Sequence, residues 1–362
     1  MRLLSPILQR LIYPALGRAG YFHARSSNFV GVVTYHGVLP QGYQSPDPFM
    51  DDALVSIESF RSQLLLLKKH YNVISPERFR RWLRREDDLP PRAIMLTCDD
   101  GLLNCITTML PVLRDEGLQC LFFVTGALLG GAPAMLWYLE LYLMLTEVRG
   151  ARPPVDWQGS LLPAIPDGVG ERRARWPQLM KALSRIKAER RSEFLSDATR
   201  LWGLEREWKN RYLEDPLLRQ RFQLIQASEL KQLIHAGMTV GAHTITHPIL
   251  AEQSADMARA EISDCKQILE QLSGTPVWAL AYPFGDPASV GDREYKLAQA
   301  TGYECAFLNV GGSFGRAPSK FSLPRIHVTA SMSLPVYEAH VSGFHSFLQA
   351  RLSEWRLESG RE

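Results

Sequence analysis

Short apolar runs rich in β-forming residues recur along the chain, and several end abruptly in polar side chains. Phe29–Tyr35 runs into His36, Ala93–Cys98 into Asp99-Asp100, and Met238–Ala242 into His243. Further runs are Cys120–Thr125, Val277–Tyr282 and Glu304–Val310. Helical signals lie between them. Ser75-Pro76 reads as an N-cap followed by proline at the first helical position, and Ser228, Glu229–Ala236 and Gly237 read as a capped helix closing on glycine. This alternation of strand, loop and helix predicts a mostly parallel α/β sheet or barrel, in which the loops after the strands carry the chemistry. The polar clusters occupy that position.

Two regions depart from the rhythm. From about Trp137 to Gln226 the chain turns long, helical and charge-laced, with arginines interspersed among acids and with Trp176, Trp202 and Trp208, which reads as an insertion on the α/β domain. Mixed-sign charge along a helix predicts solvated faces over aromatic anchors rather than a nucleic-acid surface. Residues 1–27 carry Arg2, Arg10, Arg18 and Arg25 with no acid, while Leu3, Leu4, Ile7, Leu8, Leu11, Ile12 and Leu16 recur at helical spacing. Pro6, Gln9-Arg10 and Pro14 break the unbroken apolar core that a secretory signal needs, so no cleavable signal peptide is expected. This basic amphipathic segment has two readings: an interfacial helix on an anionic membrane surface, or a helix packed on its own domain. The expected division is 1–27 as that segment, 28–345 as the α/β domain with 137–226 inserted, and 346–362 as a charged tail.

Composition narrows the function. The 362 residues are 46% hydrophobic and 22% charged, a globular balance, and 41 Lys+Arg against 38 Asp+Glu leave a net charge of only +3. That is too even for a chain devoted to neutralising phosphates, so no nucleic-acid partner is expected. The five cysteines include no CxxC pair, which fits a reducing compartment, and no apolar run reaches the ~18 residues of a membrane span. The expected location is cytoplasmic, with peripheral contact at the inner membrane face under the first reading of residues 1–27.

Three clusters carry candidate chemistry. Thr97-Cys98-Asp99-Asp100-Gly101 sets two carboxylates at a strand end, where their repulsion calls for a cation or proton, although Asp-Asp-Gly is also an ordinary turn. His243-Thr244-Ile245-Thr246-His247-Pro248 spaces two histidines four apart, which on a helical turn would put both imidazoles on one side. Two imidazoles and a carboxylate form a ligand set suited to catalytic zinc. Ala281-Tyr282-Pro283-Phe284-Gly285 could wall a sugar groove and aim a backbone N–H at an oxyanion, or simply form a turn.

Together these motifs resemble those of the polysaccharide deacetylases with a NodB-homology domain, carbohydrate esterase family 4. The first is similar to T-F-D-D-G, the second to H-[ST]-x-x-H-P and the third to R-x-P-Y-G, over roughly residues 29–135 and 227–330. The resemblance implies a distorted (β/α) barrel with fewer than eight regular strands, and metal-dependent removal of acetyl groups from a polysaccharide or lipid-linked glycan. It implies Asp100, His243 and His247 as ligands of a divalent metal, zinc by expectation, and Asp99 as general base. The loop Tyr282, Pro283, Phe284 and Gly285 would meet the substrate, the Phe284 N–H facing the oxyanion. Two histidines qualify as general acid: His327, after Leu323-Pro324-Arg325, and His36, at the end of the first strand, which is favoured. Cys98 replaces the motif's Phe, the stretch between motifs is long, and Ala281 stands where the family has an arginine that orients the base. Arg325, at another predicted strand end, is the candidate substitute. The missing arginine also leaves open a non-catalytic glycan-binding relative of the same fold.

Overall fold

The computed structural model describes residues 7–22, 29–126, 135–157, 160–315, 318–349 and 351. Much of the expected tail over 346–362, and the ends of the 1–27 segment, lie outside the described residues. Eight parallel strands form one sheet: β1 (Val30–Tyr35), β2 (Asn72–Ile74), β3 (Ala93–Cys98), β4 (Leu121–Val124), β5 (Thr239–Ala242), β6 (Ala279–Ala281), β7 (Cys305–Phe307) and β8 (Ile326–His327). Their order is β7-β6-β5-β4-β3-β1-β8, and β2 adds to β3 beside Ala93–Met95. The sheet curls back on itself. Leu323 bridges Phe307 in parallel, the Arg325 N–H donates to the Val310 carbonyl at 3.0 Å, and Ile326-His327 then pair with Val33-Thr34 of β1. The result is the distorted (β/α) barrel expected, with helices around it, but the sheet has eight strands rather than fewer, counting the two-residue β8 and the added β2.

Strand side chains alternate between two faces, and here both faces are buried, as parallel strands require. One set, including Val30, Val32, Met95, Leu121, Phe123, Ala281 and Phe307, fills the barrel, with Phe79, Trp82 and Phe314 packed against it. The other set, including Val33, Tyr35, Ile94, Leu96, Phe122, Val240 and Leu280, packs outward on the helices Ile57–His70, Ala227–His235 and Ala255–Ser273. Carried to the strand ends, the inner set continues through Thr34, Thr97 and Asp99, His243 and Arg325. Alternation alone therefore aims these groups at the barrel mouth.

Helix signals held in part. The Ser75 side chain caps Pro76–Leu83 by accepting from the Arg78 N–H at 3.1 Å. The helix expected to follow a Ser228 cap starts two residues before Glu229, at Ala227. Gln226 is its cap, because the Glu229 carboxylate reaches back to the Gln226 N–H at 2.9 Å.

Between β4 and β5 a second hydrophobic cluster forms from Trp137, Leu141, Phe194, Trp202, Trp208, Tyr212 and Phe222, separate from the barrel interior. Its helices pair charge on their outer faces, as in Arg190–Glu193 and Arg200–Asp197. At the N-terminus, Tyr13 and Phe22 bury against Val336 and Ala339, while Leu11 stays 66% exposed.

Candidate active site

The site lies at the C-terminal ends of the strands. After β3 the backbone turns sharply, Asp100 and Gly101 both adopting left-handed φ values of 75° and 76°. A Cβ at Gly101 would come within 3.1 Å of Val124, so this turn is built for glycine. After β5 the two histidines converge, but not on a helix: Thr244 and His247 sit at φ of 63° and 56°, and the loop bends back on itself. The loop is held open-handed by its neighbours. Glu261 accepts from the Thr246 N–H at 2.8 Å and its carbonyl from the Ile245 N–H at 3.2 Å, while the His247 N–H donates to Thr244 Oγ1 at 3.1 Å. Phe284, after β6, is also left-handed (φ 61°). Four of the six non-glycine residues with positive φ among those described therefore belong to this site. Such strain persists only where surrounding contacts enforce it.

Asp100 Oδ1 lies 3.4 Å from His243 Nε2 and 3.3 Å from His247 Nε2. All three side chains are buried, and one ligand atom from each falls within 4.8 Å of the others. His243 Nδ1 is 2.7 Å from the Ala281 carbonyl, which can only accept, so Nδ1 carries a proton and Nε2 presents its lone pair when the ring is neutral. This donor set, two imidazole nitrogens and a carboxylate with one histidine oriented from behind, fits a divalent cation. Burial alone would raise the Asp100 pKa, but the two histidines hold it well below the usual carboxylate range. Burial disfavours a charged His243, yet Asp100 and Asp99 carry its pKa above the ordinary imidazole value, whereas burial leaves His247 below it.

Asp99 sits beside this triad in a different setting. Arg325, fully buried, grips it with two hydrogen bonds, Nη1 to Oδ1 and Nη2 to Oδ2, each 2.6 Å. The guanidinium also donates to the Leu308 carbonyl at 2.8 Å and to Thr34 Oγ1 at 3.1 Å, and it lies over the Phe123 and Phe307 rings. Burial works against a charged Asp99, but the Arg325 charge outweighs it and keeps the pKa below the ordinary value. The structure thus brings a cation to Asp99 from position 325 where Ala281 supplies none. His36 Nε2 stands 4.0 Å from Asp99 Oδ2, and the His36 and His327 rings meet edge to face at 4.9 Å. Burial, with His36 and Arg325 nearby, pushes His327 down to about 3.

The third motif divides its labour. Phe284 packs its ring 4.9 Å from His247, and Gly285 (φ 63°) has no room for a Cβ, which would meet the Asn309 nitrogen at 2.4 Å. The Gly285 N–H turns back to the Pro283 carbonyl at 2.6 Å. Tyr282 sends its hydroxyl to the Phe321 carbonyl at 3.1 Å, which ties the loop down, and it also lines the cavity above the site.

A cavity of about 700 Å³ opens above these groups. Besides the motif residues it is lined by Phe49, Met50 and Leu54 from the loop after β1 and by Tyr138, Tyr142, Trp176 and Arg221 from the inserted region. Of these wall residues only Trp176 stood out in the sequence, as one of the aromatic anchors expected in 137–226. Arg221 is 2% exposed and pairs with Asp51 at 2.6 Å.

A family model described as polysaccharide deacetylase matches residues 204–306, which include the histidine motif. No curated protein gives a significant match. Solved structures share the fold. A Streptococcus pyogenes deacetylase, PplD, in complex with acetate aligns with TM-score 0.55 at 17% identity, covering 87% of this chain and 99% of that one. IcaB from Ammonifex degensii aligns with TM-score 0.52 at 16% identity, over 88% and 98%. A de-N-acetylase from Aggregatibacter actinomycetemcomitans aligns with TM-score 0.52 at 13% identity, over 86% and 99%. The chain therefore has the polysaccharide deacetylase fold, and the family resemblance read from its motifs stands.

Proposed function

We propose that this protein is a metal-dependent hydrolase that removes acetyl groups, N-acetyl by preference, from a polysaccharide or lipid-linked glycan. One observation carries the reading: a buried Asp100–His243–His247 triad stands beside an arginine-clamped Asp99 on the floor of one cavity. When bound, a divalent metal, taken as zinc, lowers the pKa of water and polarises a carbonyl. Asp99 then receives the proton that water loses as its oxygen bonds to the acetyl carbon. Arg325 keeps that carboxylate ionised and fixed in orientation beforehand. The Phe284 N–H, which donates to no carbonyl among the described residues, would donate to the acetyl oxygen as negative charge develops there. Breaking the carbon–nitrogen bond leaves an amine that needs a proton, and His36 Nε2, on the open side of Asp99, gives it. His327, which burial disfavours in its charged form, is the poorer acid and in this reading packs against His36 and positions it. Acetate and the free amino sugar result.

The binding-only reading rested on the arginine absent at Ala281, and Arg325 removes that reason for preferring it. The division into 28–345 with 137–226 inserted belongs to the same proposal. So does a cytoplasmic location with peripheral membrane contact. The described N-terminal helix exposes Ile7, Leu11 and Ile12 with Arg10 and Arg18, and no helix among the described residues is long and apolar enough to cross a membrane. Recovery of the intact protein from the medium or periplasm would overturn that location.

The activity is tested by acetate release from N-acetylglucosamine oligomers and polymers by zinc-loaded protein. Release that stops in Asp99→Asn and after chelation supports the reading. Release that continues unchanged in both contradicts it.

A further inference from the structure

The inserted region meets the metal loop through two adjacent residues at the start of its first helix, Trp137–Glu147. The Trp137 indole N–H donates to the His247 carbonyl at 3.0 Å, in a fully buried contact between residues far apart in sequence. Tyr138, the next residue, reaches the same centre from the cavity side. Its hydroxyl donates to Asp100 Oδ2 at 3.4 Å, the oxygen not shared with the histidines, and its ring lies 4.8 Å from the His247 imidazole and 5.5 Å from Phe284. A third hold comes from Arg191 of the inserted helix Ala188–Leu201. Its guanidinium lies 4.6 Å over the Trp137 ring and donates to Thr246 Oγ1 at 2.6 Å.

From these contacts we infer that Trp137 and Tyr138 are positioning residues of the metal centre, acting through His247 and Asp100, so that the inserted region is part of the site rather than an appendage. The physical reason lies in the strained loop. His247 holds a left-handed backbone conformation, and its ring Nδ1 has no partner among the described residues, so the histidine-to-carbonyl brace that orients His243 is missing here. The indole bond to the His247 carbonyl and the Tyr138 ring supply from the backbone and the face what His243 receives at Nδ1. The Tyr138 hydroxyl likewise restrains rotation of Asp100, leaving Oδ1 turned toward both Nε2 atoms. Outer groups of this kind typically tune metal affinity or activity by about 10–100-fold.

This inference rests on the proposed metal-dependent activity for its kinetic arm only. The test uses the full chain with Tyr138→Phe and Trp137→Phe, measuring zinc affinity by chelator competition and the visible absorption of cobalt-loaded protein. Both variants are expected to bind zinc about 10-fold or more weakly, with a changed cobalt spectrum. Tyr138→Phe is also expected to lower kcat by a similar factor with KM within about twofold, since it keeps the ring that lines the cavity and loses only the hydroxyl's hold on Asp100. Zinc affinity within twofold of the parent together with a superimposable cobalt spectrum would overturn the inference, as would an unchanged kcat with a raised KM in Tyr138→Phe. If the parent released no acetate from any glycan, the proposed activity would fall while the zinc and cobalt measurements still decided this point.

Discussion

The barrel and the inserted region bury similar aromatic and aliphatic residues but use charge in opposite ways. At the barrel mouth the charges are few, buried and held in fixed geometry: Arg325 and Asp99 are 0% and 2% exposed and share two short hydrogen bonds. On the inserted helices they are many and mostly solvated, as in Arg200–Asp197, whose side chains are 75% and 38% exposed. Exposed pairs contribute about 0–1 kcal/mol, whereas removing one partner of a buried pair costs about 3–5 kcal/mol because a charge is left stranded in low dielectric. The arginine-rich composition of the insertion therefore says little about function, and a single arginine in the barrel says a great deal. What the insertion brings to the site comes through a few buried groups, Trp137 and Tyr138 above all, with Arg191 braced against them.

That contrast can be broken at several points. The largest effect is expected from Asp99→Asn, which should lower turnover by about 10²–10⁴-fold, the range for loss of a general base, while metal content is retained. Metal lost in proportion to activity would show instead that Asp99 is needed to build the centre. Arg325→Ala should come next. It strands Asp99, so denaturant unfolding should show a loss of about 3–5 kcal/mol, with turnover falling far more than metal content. A loss under about 1 kcal/mol would place the pair among the solvated ones and erase the distinction drawn here. The two histidines are separated by replacing each with Gln: His36→Gln should cost about 10²-fold in kcat, and His327→Gln clearly less. The reverse order would move the proton donor to His327.

The smallest effects belong to the partly and fully exposed charges. Glu304, at the start of β7, accepts from Arg80 and Arg84; burial opposes its ionisation, but the two arginines bring its pKa down to about 2 from an ordinary value of 4.5. A carboxylate depressed in the folded state stabilises above its unfolded pKa, and that contribution is lost as pH falls through the folded value. The pair is solvent-screened, so Glu304→Gln should cost less than about 1 kcal/mol at neutral pH, and the difference from the parent should vanish as pH falls from about 4.5 toward 2. Arg200→Ala should fall within about 0.5 kcal/mol of the parent at any pH. A larger loss in thermal unfolding would show that insertion charges carry structure after all.

Much of the barrel was legible because its signal is local. Each strand is a contiguous apolar run, and the run overshoots the paired strand where buried residues continue past the ladder, as Val277 and Trp278 do before β6. The proposed ligands and base stood out for the same reason: Asp99 is adjacent to Asp100, and His243 is four residues from His247. The loop's shape was not. Spacing suggested a helical turn, whereas left-handed residues at 244 and 247 bring the imidazoles together, and such strain is set by Glu261, far along the chain. The pairing of Arg325 with Asp99 could be guessed from its place at a strand end, but only the curl of the sheet brings β8 beside β1. Trp137, Tyr138 and Arg221 left no local pattern, since each reaches the site through tertiary packing of the insertion.

The central claim is that three groups on two strand ends, Asp100 after β3 and His243 and His247 after β5, hold the catalytic metal. Zinc stoichiometry of the purified chain beside Asp100→Ala, measured after equilibration with limiting zinc, tests it most directly. One tightly held equivalent per chain is expected in the parent and none in the variant. One equivalent retained by Asp100→Ala would place the metal elsewhere and contradict it.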